Sequence, residues 1–216
     1  MNVFSNLAIS LDGKIADQSQ PSKPLGTIYD RQQMQVIRKK ADVILVGAGT
    51  LRAHPMTMKL KQKLTKFQSQ PANAVITASG KLDPKWSFWA DPSVVRLIFT
   101  TRQGLPLALE ACQDRALVFD VGEERVDMSK VFAKLKELNF KNVLVEGGGE
   151  TMAEVLKANL LKELYVTMTP RILGGRRNPS LVGGEDTLWK NLELLKQRRV
   201  KNEIYLHYKV KGAKGV

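Results

Sequence analysis

Short apolar runs alternate along this chain with stretches whose apolar residues recur every third or fourth position. These are the signatures of buried strands and of one-sided helices. Asn2–Ser10 reads as a strand. Val43-Ile44-Leu45-Val46 is an unbroken apolar run, the type buried on both faces of a parallel sheet, and Ala74–Thr77, Val94–Thr100 and Ala116–Phe119 read alike. Leu164–Thr169 is a further strand, ended by Pro170. Between them, Asp30–Lys40 predicts a helix with Met34, Ile37 and Ala41 on one side and Asp30 as its N-cap. Ser129–Leu138 predicts another, grouping Val131, Leu135 and Leu138, and Thr151–Leu161 a third, with Met152, Val155, Leu156 and Leu160 as its buried stripe. Leu192–Arg199 and Glu203–Val210 read as an antiparallel pair turned at Lys201-Asn202. The sum is a single α/β domain spanning 1–216, with a mostly parallel sheet flanked by helices and an antiparallel C-terminal edge. Pro21–Gly26 and His54–Pro71 are the long polar loops, where binding residues tend to sit.

One stretch departs from plain packing: Val143-Leu144-Val145-Glu146-Gly147-Gly148-Gly149-Glu150-Thr151-Met152. An apolar strand enters three glycines and a helix follows at once. Glycine allows positive φ and lets a ligand approach where a Cβ would collide. The helix start behind it offers unpaired N–H groups and a positive dipole end, where a phosphate settles. Glu146 stands at the carboxyl end of its strand, the place where open α/β sheets meet ligands. A tight turn without a ligand is the plainer account, although such a turn seldom needs three glycines. A second glycine turn, Gly47-Ala48-Gly49-Thr50, follows the Val43–Val46 strand.

Composition narrows the classes. At 216 residues and 43% hydrophobic content the chain supports one substantial core. No apolar run approaches the ~18–20 residues of a membrane span, and Met1–Lys14 lacks the form of a secretion signal. The single cysteine, Cys112, excludes an internal disulfide framework and a multi-cysteine metal site, and no metal ligand set is expected. A reducing cytoplasm is the expected location. Cys112 itself reads as helix packing rather than a nucleophile. The net charge of +13 is concentrated in two places. Lys59, Lys61, Lys63, Lys66 and Lys81 face no acid in sequence, and Lys190, Lys196, Arg198, Arg199, Lys201, Lys209, Lys211 and Lys214 face only Glu193 and Glu203. Such a field attracts nucleic acid or small polyphosphates, or serves solubility alone. With no recognisable nucleic-acid-binding motif, charge is the only feature favouring nucleic acid.

Neither glycine turn is a standard dinucleotide fingerprint, since Arg52 and Met152 stand where a third glycine belongs. No Walker lysine follows either turn, and no Gly-x-Ser-x-Gly elbow occurs. Of the two histidines, His207 alternates with tyrosines in a terminal strand and reads as structural. His54 lies in the loop behind a glycine turn, either as a ligand contact or as an ordinary loop residue. Two glycine turns, a basic field and no nucleophile point to an anionic cofactor that carries its own reactivity.

Four segments then fall in a telling order: Ser10-Leu11-Asp12-Gly13-Lys14-Ile15-Ala16, Ala41 to Ala53, Glu146-Gly147-Gly148-Gly149, and Pro170-Arg171-Ile172-Leu173-Gly174-Gly175. In these the chain resembles the reductase domain of riboflavin biosynthesis, which has a dihydrofolate-reductase-like, three-layer fold. The resemblance implies a homodimeric, NADPH-dependent enzyme acting on a small phosphorylated pyrimidine. The hydride passes to the ribosyl carbon of 5-amino-6-(5-phosphoribosylamino)uracil. It further implies that Thr50 in the Gly47–Thr50 turn touches NADPH, that Gly147, Gly148, Gly149, Glu150, Thr151 and Met152 wrap its phosphates, and that Glu146 and Arg38 bind substrate. Asp12 and Gly13 match a loop beside the nicotinamide. Separately from the resemblance, Arg102, after the Val94–Thr100 strand, is a candidate to favour NADPH over NADH through the 2′-phosphate. Thr50 as a helix cap, Arg38 as a surface charge and Asp12-Gly13 as a simple turn are the alternatives. The chain departs from the pattern at His54-Pro55, where the family usually reads Asp-Asp-Pro, and at Ser22–Thr27, where an aromatic residue is usual. These changes fall on the substrate side. A related oxidoreductase acting on a different small heterocycle or carbonyl is therefore the alternative.

Overall fold

The computed structural model describes residues 1–19, 23–61 and 69–213; Ser22, Lys63, Lys66 and Lys214, and parts of the two long loops, lie outside these. Nine strands form one sheet in the order β5-β4-β3-β2-β6-β1-β7-β9-β8. Strand β1 (Asn2–Ile9) is central, parallel to β6 (Asn142–Val145) on one side and to β7 (Glu163–Met168) on the other. Strands β2 (Val43–Gly47), β3 (Ala72–Thr77), β4 (Arg96–Thr100) and β5 (Leu117–Asp120) extend the parallel part beyond β6. Strands β8 (Leu192–Val200) and β9 (Glu203–Val210) form the antiparallel edge, with β9 pairing against β7.

The unbroken apolar run of β2 divides by alternation. Val43 and Leu45 enter the core under helices α4 (Met128–Glu137) and α5 (Gly149–Lys157). Ile44 and Val46 enter the opposite core, under α1 (Ile28–Arg38), α2 (Ala48–Ala53) and α3 (Leu105–Cys112). Two faces are thus covered by helices, which gives three layers. Each fully buried Val, Leu or Ile contributes roughly 1.5–3 kcal/mol, so the central strands dominate stability. Cys112 is buried in the second core, where desolvation pushes its thiol up to about 11 and makes it a packing residue.

Two boundaries differ from expectation. Helix α1 begins at Ile28, capped by Thr27 rather than by Asp30. The Thr27 hydroxyl accepts from Tyr29 N at 3.2 Å and donates to Glu203 Oε2 at 2.9 Å, and Glu203 Oε1 accepts from Thr27 N at 2.9 Å. The Thr27-x-x-Asp30 spacing is the capping-box signature, so the true cap was readable. Helix α5 starts inside the glycines and ends at Lys157, while Leu160 stays buried beyond it. Helices α2 and α3 had no periodic signal of their own. The first is too short to show one, and the second, Leu-Pro-Leu-Ala-Leu-Glu-Ala-Cys, is apolar nearly all round.

Side chains fix the scaffold below the cleft. Asp42 Oδ2 accepts from the amides of Lys141 and Asn142, both at 2.8 Å, locking β6 beside β2. Buried Asn73 binds the Met58 backbone at both N and O, 2.8 Å each, and ties the segment after α2 to β3. Among the described residues no helix is long and apolar enough to cross a membrane.

Candidate active site

The carboxyl ends of β2 and β6 bring the two glycine turns together. Gly47 N donates to Gly147 O at 3.0 Å, and Glu146 N to Leu45 O at 3.0 Å. Gly147 takes φ +109°, a region that penalises any side chain. A Cβ on Gly47 would stand 2.6 Å from Thr151 Oγ1, and one on Gly148 3.3 Å from Thr50 Oγ1. Helices α2 and α5 start at Gly47 and Gly148 with no side-chain cap, so the first-turn amides are not consumed by their own helix. The result is a glycine-walled slot with Thr50 and Thr151 hydroxyls on its sides and the positive end of α5 beneath. Uncapped helix amides behind glycines are the chemistry of a phosphate site. Glu150 is exposed at this end, whereas Met152 is fully buried and contributes only backbone.

The adjoining wall comes from the segment that runs on from the fourth sequence motif. Gly149 lies so close to Ser180 that a Cβ would meet its carbonyl at 2.3 Å, and Gly183 N donates to Gly149 O at 2.9 Å. The same segment is pinned at its start by Asp12, which accepts from Ser10 Oγ at 2.7 Å, Leu173 N at 3.0 Å and Gly174 N at 2.8 Å. Asp12 therefore holds one loop against another. The Ser10 hydroxyl, then the Leu173 and Gly174 amides, hold its carboxyl at about 2. A lowered folded pKa contributes stability above the ordinary value of 3.8 and loses it as pH falls toward about 2. We expect the Leu173 and Gly174 amides to lose hydrogen-exchange protection across that window while β1 and β6 stay protected. Unchanged protection at both amides would show that Asp12 is not the latch.

On the α1 side of the cleft, Arg38 and Glu146 form a two-pronged ion pair. Nε meets Oε1 at 2.7 Å and Nη2 meets Oε2 at 2.6 Å, with both side chains only 11% and 9% exposed. Arg38 Nη1 also donates to Lys59 O at 3.3 Å. The pair is locked by a fork geometry that lysine cannot reproduce. His54 closes α2, its amide donating to Thr50 O at 2.9 Å and its carbonyl accepting from Met56 N at 2.8 Å, and the residue is half-buried. Arg102 lies apart from this centre, between Asp120 at 3.3 Å and Glu123 at 3.5 Å. His207 stacks on Tyr165 and meets Glu163 Oε2 at 2.8 Å, on β9 and away from the glycine slot. Among the described residues no group of three His, Cys, Asp or Glu is placed to hold a metal ion.

A further polar group under α1 was not anticipated from sequence. Glu203, 1% exposed, accepts from Thr27 and from Tyr205 Oη at 2.9 Å. Asp30 sits beside it, hydrogen-bonded by Thr167 of β7. The only sequence signal was the capping box itself, which says nothing about the partner strands.

The profile of the RibD C-terminal domain matches residues 1–206. The chain belongs to the RibD C-terminal domain family. It is 29% identical over 194 residues to the 2,5-diamino-6-ribosylamino-4(3H)-pyrimidinone 5′-phosphate reductase of Archaeoglobus fulgidus, across 87% of this chain and 89% of that protein. It is similar in structure to a pyrimidine reductase-like protein from Corynebacterium diphtheriae, with a TM-score of 0.83, 21% identity, and coverage of 97% of this chain and 91% of that one. Dihydrofolate reductase from Enterococcus faecalis, complexed with NADP(H), shares the fold at a TM-score of 0.53 and 12% identity, over 97% and 96% of the two chains. The dihydrofolate-reductase-like architecture expected from the motifs is the one observed. In this RibD C-terminal domain, each of the four motifs lies at or beside the carboxyl ends of β1, β2, β6 and β7.

Proposed function

We propose that this chain is an NADPH-dependent reductase of a phosphoribosylamino-pyrimidine, the step that opens the ribosyl ring to a ribityl chain. One observation carries the reading. The uncapped glycine starts of α2 and α5 face each other across a slot lined by Thr50 and Thr151, beside a near-buried Arg38–Glu146 pair. In this reading the slot takes a cofactor's diphosphate, held by the backbone of Gly47, Gly147, Gly148, Gly149, Glu150, Thr151 and Met152 and by the Thr50 hydroxyl. When bound, the nicotinamide supplies the hydride. The chain's own residues bind, orient and exclude water, and orientation alone contributes roughly 7–11 kcal/mol to such reactions. Glu146 presents a carboxylate edge to the pyrimidine, Arg38 fixes that edge, and Asp12 holds the wall beside the nicotinamide.

The name of the Archaeoglobus fulgidus relative supports the substrate class. The test is NADPH oxidation followed at 340 nm with the phosphoribosylamino-uracil and with its 2,5-diamino-pyrimidinone counterpart. Turnover of either supports the reading; failure of both, with NADPH bound, excludes it. A second reading rests on His54-Pro55. An imidazole where relatives usually carry acids favours a different small heterocycle or carbonyl as acceptor, and the same assay with a panel of such acceptors separates the two. The outer strand β8 exposes Leu192, Leu194 and Leu195, with Ile204 beside them, and a second copy pairing here would give a homodimer. Sedimentation tests that point.

A further inference from the structure

Strand β1 is buried from Val3 to Ser10 with one interruption, Ala8. Leu7 and Ile9 belong to the core under α4 and α5, so Ala8 points to the α1 side, where it stays only half-buried. On one flank stands Glu146, just past the end of β6. On the other stands Thr167 of β7, in register with Ala8 and backed by Tyr205 of β9. Two strand spacings of ~4.8 Å separate β6 from β7, wider than one sugar ring and its hydroxyls need. Above the Thr167 flank sits Asp30. Its carboxyl folds back against the chain so closely that a Cβ on Gly26 would lie 2.0 Å from Oδ2.

We propose that Asp30 is the proton donor of the reaction, delivering its proton to the ring oxygen of the substrate's ribosyl group seated over Ala8. The proposal rests on the reductase reading above. The step balances as follows. Hydride from the reduced nicotinamide forms the new C–H bond at the anomeric carbon, and the bond from that carbon to the ring oxygen breaks. Its electron pair stays on oxygen, which takes the Asp30 proton and becomes a hydroxyl. The oxidised nicotinamide leaves, and solvent reprotonates the partly exposed Asp30 carboxylate.

A donor must hold a proton at the moment of need, and the surroundings arrange this. Burial disfavours the Asp30 carboxylate and raises its pKa, and Glu203 from β9 and Glu146 from β6 push the same way. The Thr167 hydroxyl from β7 and Arg31 from α1 itself oppose the shift without reversing it. Glu146 has its own counter-charge in Arg38, and Glu203 its donors Thr27 and Tyr205, whereas among the described residues Asp30 has the Thr167 hydroxyl and the Arg31 charge against the burial and the two acids that raise it. Losing a positioned proton donor costs typically ~10²–10⁴-fold in rate.

The test compares wild type, Asp30→Asn, Asp30→Glu and Thr167→Val in single-turnover NADPH oxidation across pH, with NADPH affinity by fluorescence and melting temperature as controls. Wild-type turnover should fall as pH rises through the raised Asp30 range. Asp30→Asn should lose about 10²–10⁴-fold in turnover and lose that alkaline limb, with NADPH affinity unchanged, and Asp30→Glu should recover at least part of it. Thr167→Val removes the hydrogen bond that favours the carboxylate, so its limb should move to higher pH, an effect a merely structural role would not produce. The proposal is overturned if Asp30→Asn turns over within about threefold of wild type, or if the limb persists in it or stays put in Thr167→Val. Wild type that binds NADPH but reduces neither pyrimidine would instead remove the reductase reading, and this step with it.

Discussion

Glu146→Leu is expected to lower the unfolding free energy by about 3–5 kcal/mol, because it strands the Arg38 guanidinium in a near-buried site with no counter-charge. Urea denaturation monitored at the tryptophans measures this as a shift in midpoint at unchanged slope. The double variant Arg38→Met/Glu146→Leu replaces both partners with apolar groups and should recover most of the loss, since the penalty lies in the orphaned charge rather than in the pair. Activity separates from stability here. Glu146→Gln keeps the shape and one acceptor, yet replaces a charged hydrogen bond worth about 1.5–3 kcal/mol by a neutral one. Turnover should drop by roughly 10–150-fold while NADPH affinity stays within about threefold. A double variant that regains stability and also regains turnover would mean that Glu146 only holds the helix.

Gly47→Ala should raise the NADPH dissociation constant by about 10–100-fold. The backbone imposes no objection, for Gly47 sits at φ −80°, ψ 151°, which alanine adopts freely. The objection is spatial: the new methyl would lie 2.6 Å from Thr151 Oγ1, so the two glycine turns must part. Overpacking of this kind costs typically ~1–3 kcal/mol. Gly47→Ala/Thr151→Ala removes the obstructing oxygen and should restore thermal stability fully and affinity in part, the shortfall measuring the Thr151 hydroxyl itself. Isothermal titration with NADPH on all three chains decides it. Full affinity in Gly47→Ala would mean that the space between the turns is not where the diphosphate lies.

Much of this molecule was written in local pattern. The strands β1, β2, β7 and β9 and the helices α1 and α4 fall within two residues of where periodicity placed them, because each buries an apolar stripe or run, and the exposed β8 follows from its hairpin with β9. The glycine turns were legible for a different reason. Three consecutive glycines have no packing value, so their presence marks a place where backbone itself is the working surface. What escaped local reading depends on partners far along the chain. Nothing near Arg38 announces Glu146, 108 residues away, and nothing near Thr27 announces Glu203, 176 residues away. Asp30 looked like a cap because acids near a helix start usually are. Its hydrogen bond from Thr167 emerges only once β7 lies beneath it. Asp12 followed the same course: the sequence offered a turn or a ligand contact, and the fold shows a latch between two loops.

The central strand also leaves the ribosome long before its partners. Residues 2–9 find their neighbours only at 142–145 and 163–168, so an apolar ribbon emerges and waits, both edges bare, while more than 150 further residues are made. Contacts so distant in sequence slow folding and prolong the lifetime of sticky intermediates. Synthesis of this protein should consequently lean on holding chaperones more than its modest size would indicate, and its yield should respond to translation speed.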